Sequence, residues 1–160
     1  MDFDSVVRKR KSVRSFTNKK ASWKQVLEAI DAALQGPFAG NNNHLNFLIV
    51  ENKDVIKKIS ELCEQEWIAE SGILIVVCSD DANLENIYDE RGRVYSRQQA
   101  GAAVQSLMLK LTDLGLGSCW VGSYPDGDIR KVFDIPKHIQ IEAIVPVGYE
   151  NVKSKKNLAW

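Results

Sequence analysis

Ile73-Leu74-Ile75-Val76-Val77-Cys78 is apolar at all six positions. A strand with one wet face alternates apolar and polar residues, so an unbroken run reads as a strand covered on both faces. The neighbours of this run supply the covers. Residues 46–51 (Asn-Phe-Leu-Ile-Val-Glu) read as a second buried strand. Asn52 follows as the cap of a helix whose stripe is Val55, Ile56, Ile59, Leu62 and Cys63. Upstream, Ser22 with Gln25 has the spacing of a capping box. It opens a helix over 22–35 with apolar positions at Val26, Leu27, Ile30, Ala33 and Leu34, stopped by Gly36-Pro37. Downstream, 80–95 is polar and reads as a loop.

A long helix is expected over 96–114, with Ala100, Val104, Leu107, Met108, Leu111 and Leu114 on one face. Its small residues, Ala100-Gly101-Ala102-Ala103, permit close approach by another helix or a subunit, or serve tight core packing. Residues 118–121 can form a short strand. Asp126 or Asp128 starts a short helix through Phe133, and 139–148 read as the last strand. Roughly four strands separated by helices predict a single domain with a sheet covered on both sides. The periodicity does not say whether that sheet is parallel or antiparallel.

Composition excludes several classes. With 160 residues, 44% of them hydrophobic, the chain is neither a disordered tail nor too small to bury a core. Lys+Arg and Asp+Glu are both 21, which argues against a general nucleic-acid binder. No apolar run approaches the roughly 20 residues of a membrane helix. Met1 is followed at once by acids and bases, so no secretory leader is expected. Cys63, Cys78 and Cys119 are odd in number and widely spaced. They read as reduced thiols, and the chain as cytoplasmic. The charges are nevertheless segregated. Arg8, Lys9, Arg10, Lys11, Arg14, Lys19, Lys20 and Lys24 crowd the N-terminus, answered by Lys153, Lys155 and Lys156 at the other end. This is either a solvated basic face or a site for a small anion.

Familiar catalytic motifs fail. Gly115-Leu-Gly117-Ser-Cys-Trp120 opens like a dinucleotide fingerprint but lacks the third glycine and follows a helix. Gly117 to Gly122 has phosphate-loop spacing with Ser123 where the lysine belongs. His44 and His138 are too few for a metal site and read as core or surface residues. Three segments remain. In extended Arg10-Lys-Ser12-Val-Arg14-Ser-Phe16, Arg10, Ser12 and Arg14 project to one side and suit a phosphate. Gly36-Pro-Phe-Ala-Gly40-Asn41-Asn42-Asn43-His44 offers side-chain donors and acceptors to a planar heterocycle. Gly115 to Gly122 lets main chain approach a flat ligand.

In this order the segments resemble the nitroreductase family of FMN-dependent oxidoreductases. Arg10 to Phe16 matches its Arg-x-Ser-x-Arg/Lys-x-Phe. Pro37 to His44 echoes its asparagine segment, with Asn41 at the matching position. Gly101-Ala-Ala103-Val-Gln105-Ser-Leu107, Leu114 to Gly122, and Pro146 to Tyr149 match three further signatures. The resemblance implies an α+β fold, a central, mostly antiparallel sheet flanked by helices, and a homodimer with FMN at the interface.

It further implies that Arg10 and Ser12, with Lys11 nearby and Lys155 or Lys156 from the tail, hold the FMN phosphate. Arg14 and Asn41 would serve the pyrimidine edge, Asn43 would be a further cofactor-binding residue, and the main chain of Val121 and Gly122 would face N5 and O4. NADH or NADPH would reduce the flavin at N5, and an electron-poor small molecule, a nitroaromatic or quinone, would then take the hydride in ping-pong fashion. No protein acid, base or metal is required. The alternative is a flavin-binding sensor, carrier or storage protein of the same fold. The chain departs from the family in length, in Phe38-Ala39 and Asn43-His44 within the asparagine segment, and in Ser71-Gly72 before the second strand. Only twelve residues follow Gly148, so a brief arm ending at Trp160 is expected.

Overall fold

The computed structural model describes residues 1–153. Four strands, β1 (Leu45–Val50), β2 (Ile73–Asp80), β3 (Gly117–Ser118) and β4 (Ile139–Gly148), form one sheet in the order β1-β2-β4-β3, with every pair antiparallel. Six helices surround it: α1 (Phe3–Lys9), α2 (Trp23–Leu34), α3 (Lys53–Leu62), α4 (Ala82–Tyr88), α5 (Glu90–Asp113) and α6 (Asp126–Phe133).

The apolar run of β2 is buried along its whole length and feeds both faces. Ile73, Ile75 and Val77 join Ala143, Val145 and Val147 under α2 and α5. Leu74, Val76 and Cys78 join Ile141 and Ile144 against α3, α6 and the 3-10 turn Glu66–Glu70. The small residues of α5 belong to the first layer: Ala100 and Ala103 pack with Ala29, Ile30 and Ala33 of α2. Along β4, apolar side chains change face because one residue is extra. Val77 pairs with Ala143 and Cys78 with Ile141, so Glu142 has no partner of its own on β2. A bulge of this kind re-aims a side chain. Here the Glu142 carboxylate reaches Ser79 and Arg97, and Arg97 also pairs with the buried Asp81.

Local signals set the helix boundaries. Ser22 and Gln25 make the reciprocal capping box that opens α2, and Asn52 Oδ1 accepts from Asp54 N and Val55 N at the start of α3. The loop expected over 80–95 is instead an α-hairpin. α4 and the first turns of α5 are polar, with Leu84 the one buried side chain of α4, so no apolar stripe announced them. Asp89, at φ 50°, turns the chain between the two helices. Gly92 lies so close to α4 that a Cβ there would be 2.4 Å from the Leu84 carbonyl. α1 also escaped the apolar pattern, because it buries only Val6. Its signal was electrostatic: Asp2 caps Ser5 N, Asp4 lies in the first turn, and Arg8 and Lys9 lie in the last.

Candidate functional site

Residues 12–17 run extended beside β3 and the end of β4. Val13 N donates to Ser118 O (2.9 Å) and Thr17 N to Tyr149 O (2.8 Å), and Asn151 N donates to Ser15 O (3.0 Å). Val13 is buried against Gly117, where an added Cβ would come within 2.9 Å of the Val13 Cγ2 methyl. Phe16 does the same to Gly148. Both glycines are therefore required for close approach rather than for backbone freedom. With Val13 and Phe16 turned inward, Ser12 is exposed, and Arg10 and Arg14 are half-buried.

Ser12 and Arg14 lie beside Cys119, and Arg10 is near enough for its charge to act on it. Burial pushes its thiol above the ordinary range, while the Arg14 charge, hydrogen bonds with Ser12 and Arg14, and the Arg10 charge pull the other way. The basic arm thus runs past a buried sulfur at the sheet edge, with Ser12 and Arg14 beside it. The sequence marks Cys119 only as a reduced thiol; the fold places it beside the basic arm. Lys11 points elsewhere, into an exposed ion pair with Glu150 at 2.6 Å, which contributes little.

The strand expected over 118–121 is interrupted. Gly117 pairs with Gly148, Ser118 with Val147 and Val121 with Ile144, all in one register. That register places Cys119 opposite Pro146, which has no N–H to give, so the ladder breaks there and resumes at Val121. Val121 spends both its N–H and its C=O on Ile144 (2.9 and 3.2 Å). At Gly122 an added Cβ would meet nothing within 4 Å. A ligand along this edge would meet Gly122 more readily than the main chain of Val121.

The asparagine segment lies elsewhere. Gly40 (φ 61°) and Asn41 (φ 53°) are both left-handed in the turn Ala39–Asn41 before β1. Asn43 Oδ1 accepts from Leu45 N at 3.0 Å, so part of its side chain serves the turn. The turn is docked on α5 through Ala39 N, which donates to Gln99 Oε1 (3.0 Å). Between it and the α4–α5 hairpin opens a cleft of about 550 Å³. Phe38, the edge-to-face pair Tyr88 and Tyr95 (5.3 Å), Gln98 and Gln99 line it. His44 is buried behind Phe38, its Nε2 3.4 Å from Ser96 O and its Nδ1 without a hydrogen-bond partner.

β1 and β3 are the two edges of the sheet, and Leu45 is level with Gln140 whereas Ser118 is level with Val147. At ordinary strand spacings these points are about 14 Å apart across the sheet and roughly 20 Å along it. The chain therefore brings Arg10, Ser12, Arg14 and Gly122 to one edge and Asn41 and Asn43 to the opposite corner. Lys155, Lys156 and Trp160 lie outside the described residues. Among the described residues no three His, Cys, Asp or Glu side chains could hold a metal ion. Among the described residues no helix is long and apolar enough to cross a membrane.

A sequence model of the Nitroreductase family matches residues 7–72 and 60–149. A Methanothermobacter thermautotrophicus protein, named as a candidate NADH dehydrogenase/NAD(P)H nitroreductase, is 30% identical over 93% of this chain and 78% of its own length. The FMN reductase [NAD(P)H] of Bacillus subtilis is 24% identical over 91% of this chain and 65% of its own. Among solved structures, a nitroreductase family protein from Clostridium novyi superposes with a TM-score of 0.87 at 26% identity, covering 98% of this chain and 89% of that one.

Proposed function

The chain belongs to the nitroreductase family, and on that footing we propose that it is an FMN-dependent oxidoreductase. It takes a hydride from NADH or NADPH and passes it, in ping-pong fashion, to an electron-poor small molecule such as a nitroaromatic or a quinone. The observation that carries this reading is the arm bearing Arg10, Ser12 and Arg14, held extended along a strand edge cleared by Gly117 and Gly148. That donor set fits a flavin mononucleotide. Arg10 and Ser12 bind the phosphate, the guanidinium in the two-pronged, charge-assisted manner that suits phosphate oxygens. Lys155 or Lys156 would complete the cluster, whereas Lys11 is paired with Glu150. Arg14 faces the pyrimidine edge, where its charge favours the electron-rich reduced ring. Gly122, with Val121 held firm beside it, lines the redox-active edge.

When bound, FMN supplies the hydride chemistry, and the protein supplies binding, orientation and electrostatics. No residue of the chain is asked to move a proton. The separation of Asn41 and Asn43 from the arginine edge supports a homodimer in which each copy lends its asparagine turn to the other's site. Exposed Phe3 and Val7 on α1, and Trp23 and Leu27 on α2, offer apolar surface for such an association. The Phe38–Tyr88–Tyr95 cleft beside that turn suits a flat acceptor, being mostly apolar with a few amide and hydroxyl groups. The reading also rests on the family's relatives named for NAD(P)H oxidation and FMN reduction.

The test is the visible spectrum of the purified protein before and after anaerobic NADH and NADPH. A flavin absorption that bleaches with either nucleotide and returns on adding a quinone is expected. A colourless protein that takes up no FMN would overturn the proposal. Bound flavin that neither nucleotide bleaches would leave a flavin carrier or sensor.

A further inference from the structure

An acidic side chain stands beside this basic edge. Glu70 ends the 3-10 turn Glu66–Glu70, and the next two residues fix its main chain: Ser71 N and Ser71 Oγ both donate to Ile68 O, and Gly72 N donates to Val147 O. From this fixed point Glu70 Oε2 accepts hydrogen bonds from Phe16 N (3.0 Å) and Ser15 Oγ (3.2 Å). Phe16 N faces away from the sheet. Val13 N, Ser15 O and Thr17 N all bond towards β3 and residues 149–151, so the intervening donor has no main-chain partner. Glu70 supplies one, through a bond strengthened by its charge.

Resting on the FMN reading, we propose that Glu70 is a positioning residue for the flavin site: it clamps the main chain immediately after Arg14 and so fixes where that guanidinium points. Val13 N, Ser15 O and Thr17 N tie one edge of the arm to β3 and residues 149–151, and on the other edge Glu70 takes Phe16 N. Glu70 also borders a 430 Å³ cavity lined by Lys19, Lys20, Lys53 and a second acid, Glu51, so its field is not isolated. The proposed role is geometric.

The sign of the mutational effect separates geometry from charge. A carboxylate acting only through its field would repel a bound phosphate, and removing it would tighten binding. A clamp does the opposite. Glu70→Ala in the full chain is expected to raise the dissociation constant for FMN about tenfold, the scale of one charge-assisted hydrogen bond. Glu70→Gln, whose amide oxygen can still accept from Phe16 N, is expected to stay within roughly threefold of the parent. In an Arg14→Ala background Glu70→Ala should cost little more, because the residue it aligns is gone. FMN binding unchanged or tightened in Glu70→Ala overturns the proposal, as does a loss that simply adds to that of Arg14→Ala. Both outcomes leave the oxidoreductase reading standing. A parent protein that binds no FMN brings down both.

Discussion

Cys63, Cys78 and Cys119 share a side chain and differ in their surroundings. Cys63 and Cys78 lie in the layer under α3 and α6, where burial pushes both thiols up to about 11. A thiol must ionise to attack an electrophile, so both should resist iodoacetamide at pH 8 in the native protein and react fully once it is denatured, as mass spectrometry would report. Rapid native labelling of either would contradict the burial. Cys119 is also raised by burial, but Arg14, Ser12 and Arg10 act against it. Arg14→Ala should weaken FMN binding by about tenfold, or lower the midpoint potential of the bound flavin, because a positive charge at the pyrimidine edge favours the reduced ring. Unchanged affinity and potential would remove Arg14 from the site. The spacing Arg-x-Ser-x-Arg was legible in the sequence because an extended chain alternates sides. The sulfur behind it and the Glu70 clamp were not, because they come from segments roughly 105 and 55 residues away, respectively.

At the scale of elements, the instructive case is the α4–α5 hairpin. Its polar residues carry no apolar stripe, and what fixes them is packing of the two helices on each other and on the core: Leu84 fully buried, Gly92 against the α4 carbonyl, and Arg93 paired with Glu85. Gly92→Ala should therefore destabilise the protein by about 1–3 kcal/mol, the cost of forcing atoms into a packed site. Gly101→Ala in the same helix should not, since a Cβ there meets its first neighbour, Trp120, only at 3.9 Å. Thermal melts of the two variants check the contrast, and equal melting temperatures would contradict it. The well-read elements, α2, α3, β2 and β4, owe their legibility to strong local signals: a capping box, an asparagine cap and long apolar runs. β3 was half-read because the proline that interrupts its ladder sits on β4.

For the whole molecule, the fold separates groups that the motif order had set side by side. Arg10, Ser12 and Arg14 stand at one corner of the sheet and the asparagine turn at the opposite one. If each flavin site draws on both, the protein should elute as a dimer whose flavin content falls on dilution below the dimer dissociation constant. Size exclusion with absorbance detection tests this, and a flavin-saturated monomer would show that one corner suffices.

What the sequence determined by itself was the layered α+β plan, the main helices and strands, the family, and the identity of the basic arm. These come from short-range rules: period, caps, turns and ordered motifs within a few residues of one another. The family resemblance implied the mostly antiparallel sheet that residue periodicity left open; only the tertiary structure decided that Glu142 bulges from β4, that 80–95 is helical, and that Cys119 and Glu70 flank the basic arm. Each of these is settled by contacts between residues far apart in the chain, and a contact of that kind leaves no period in the sequence on either side of it.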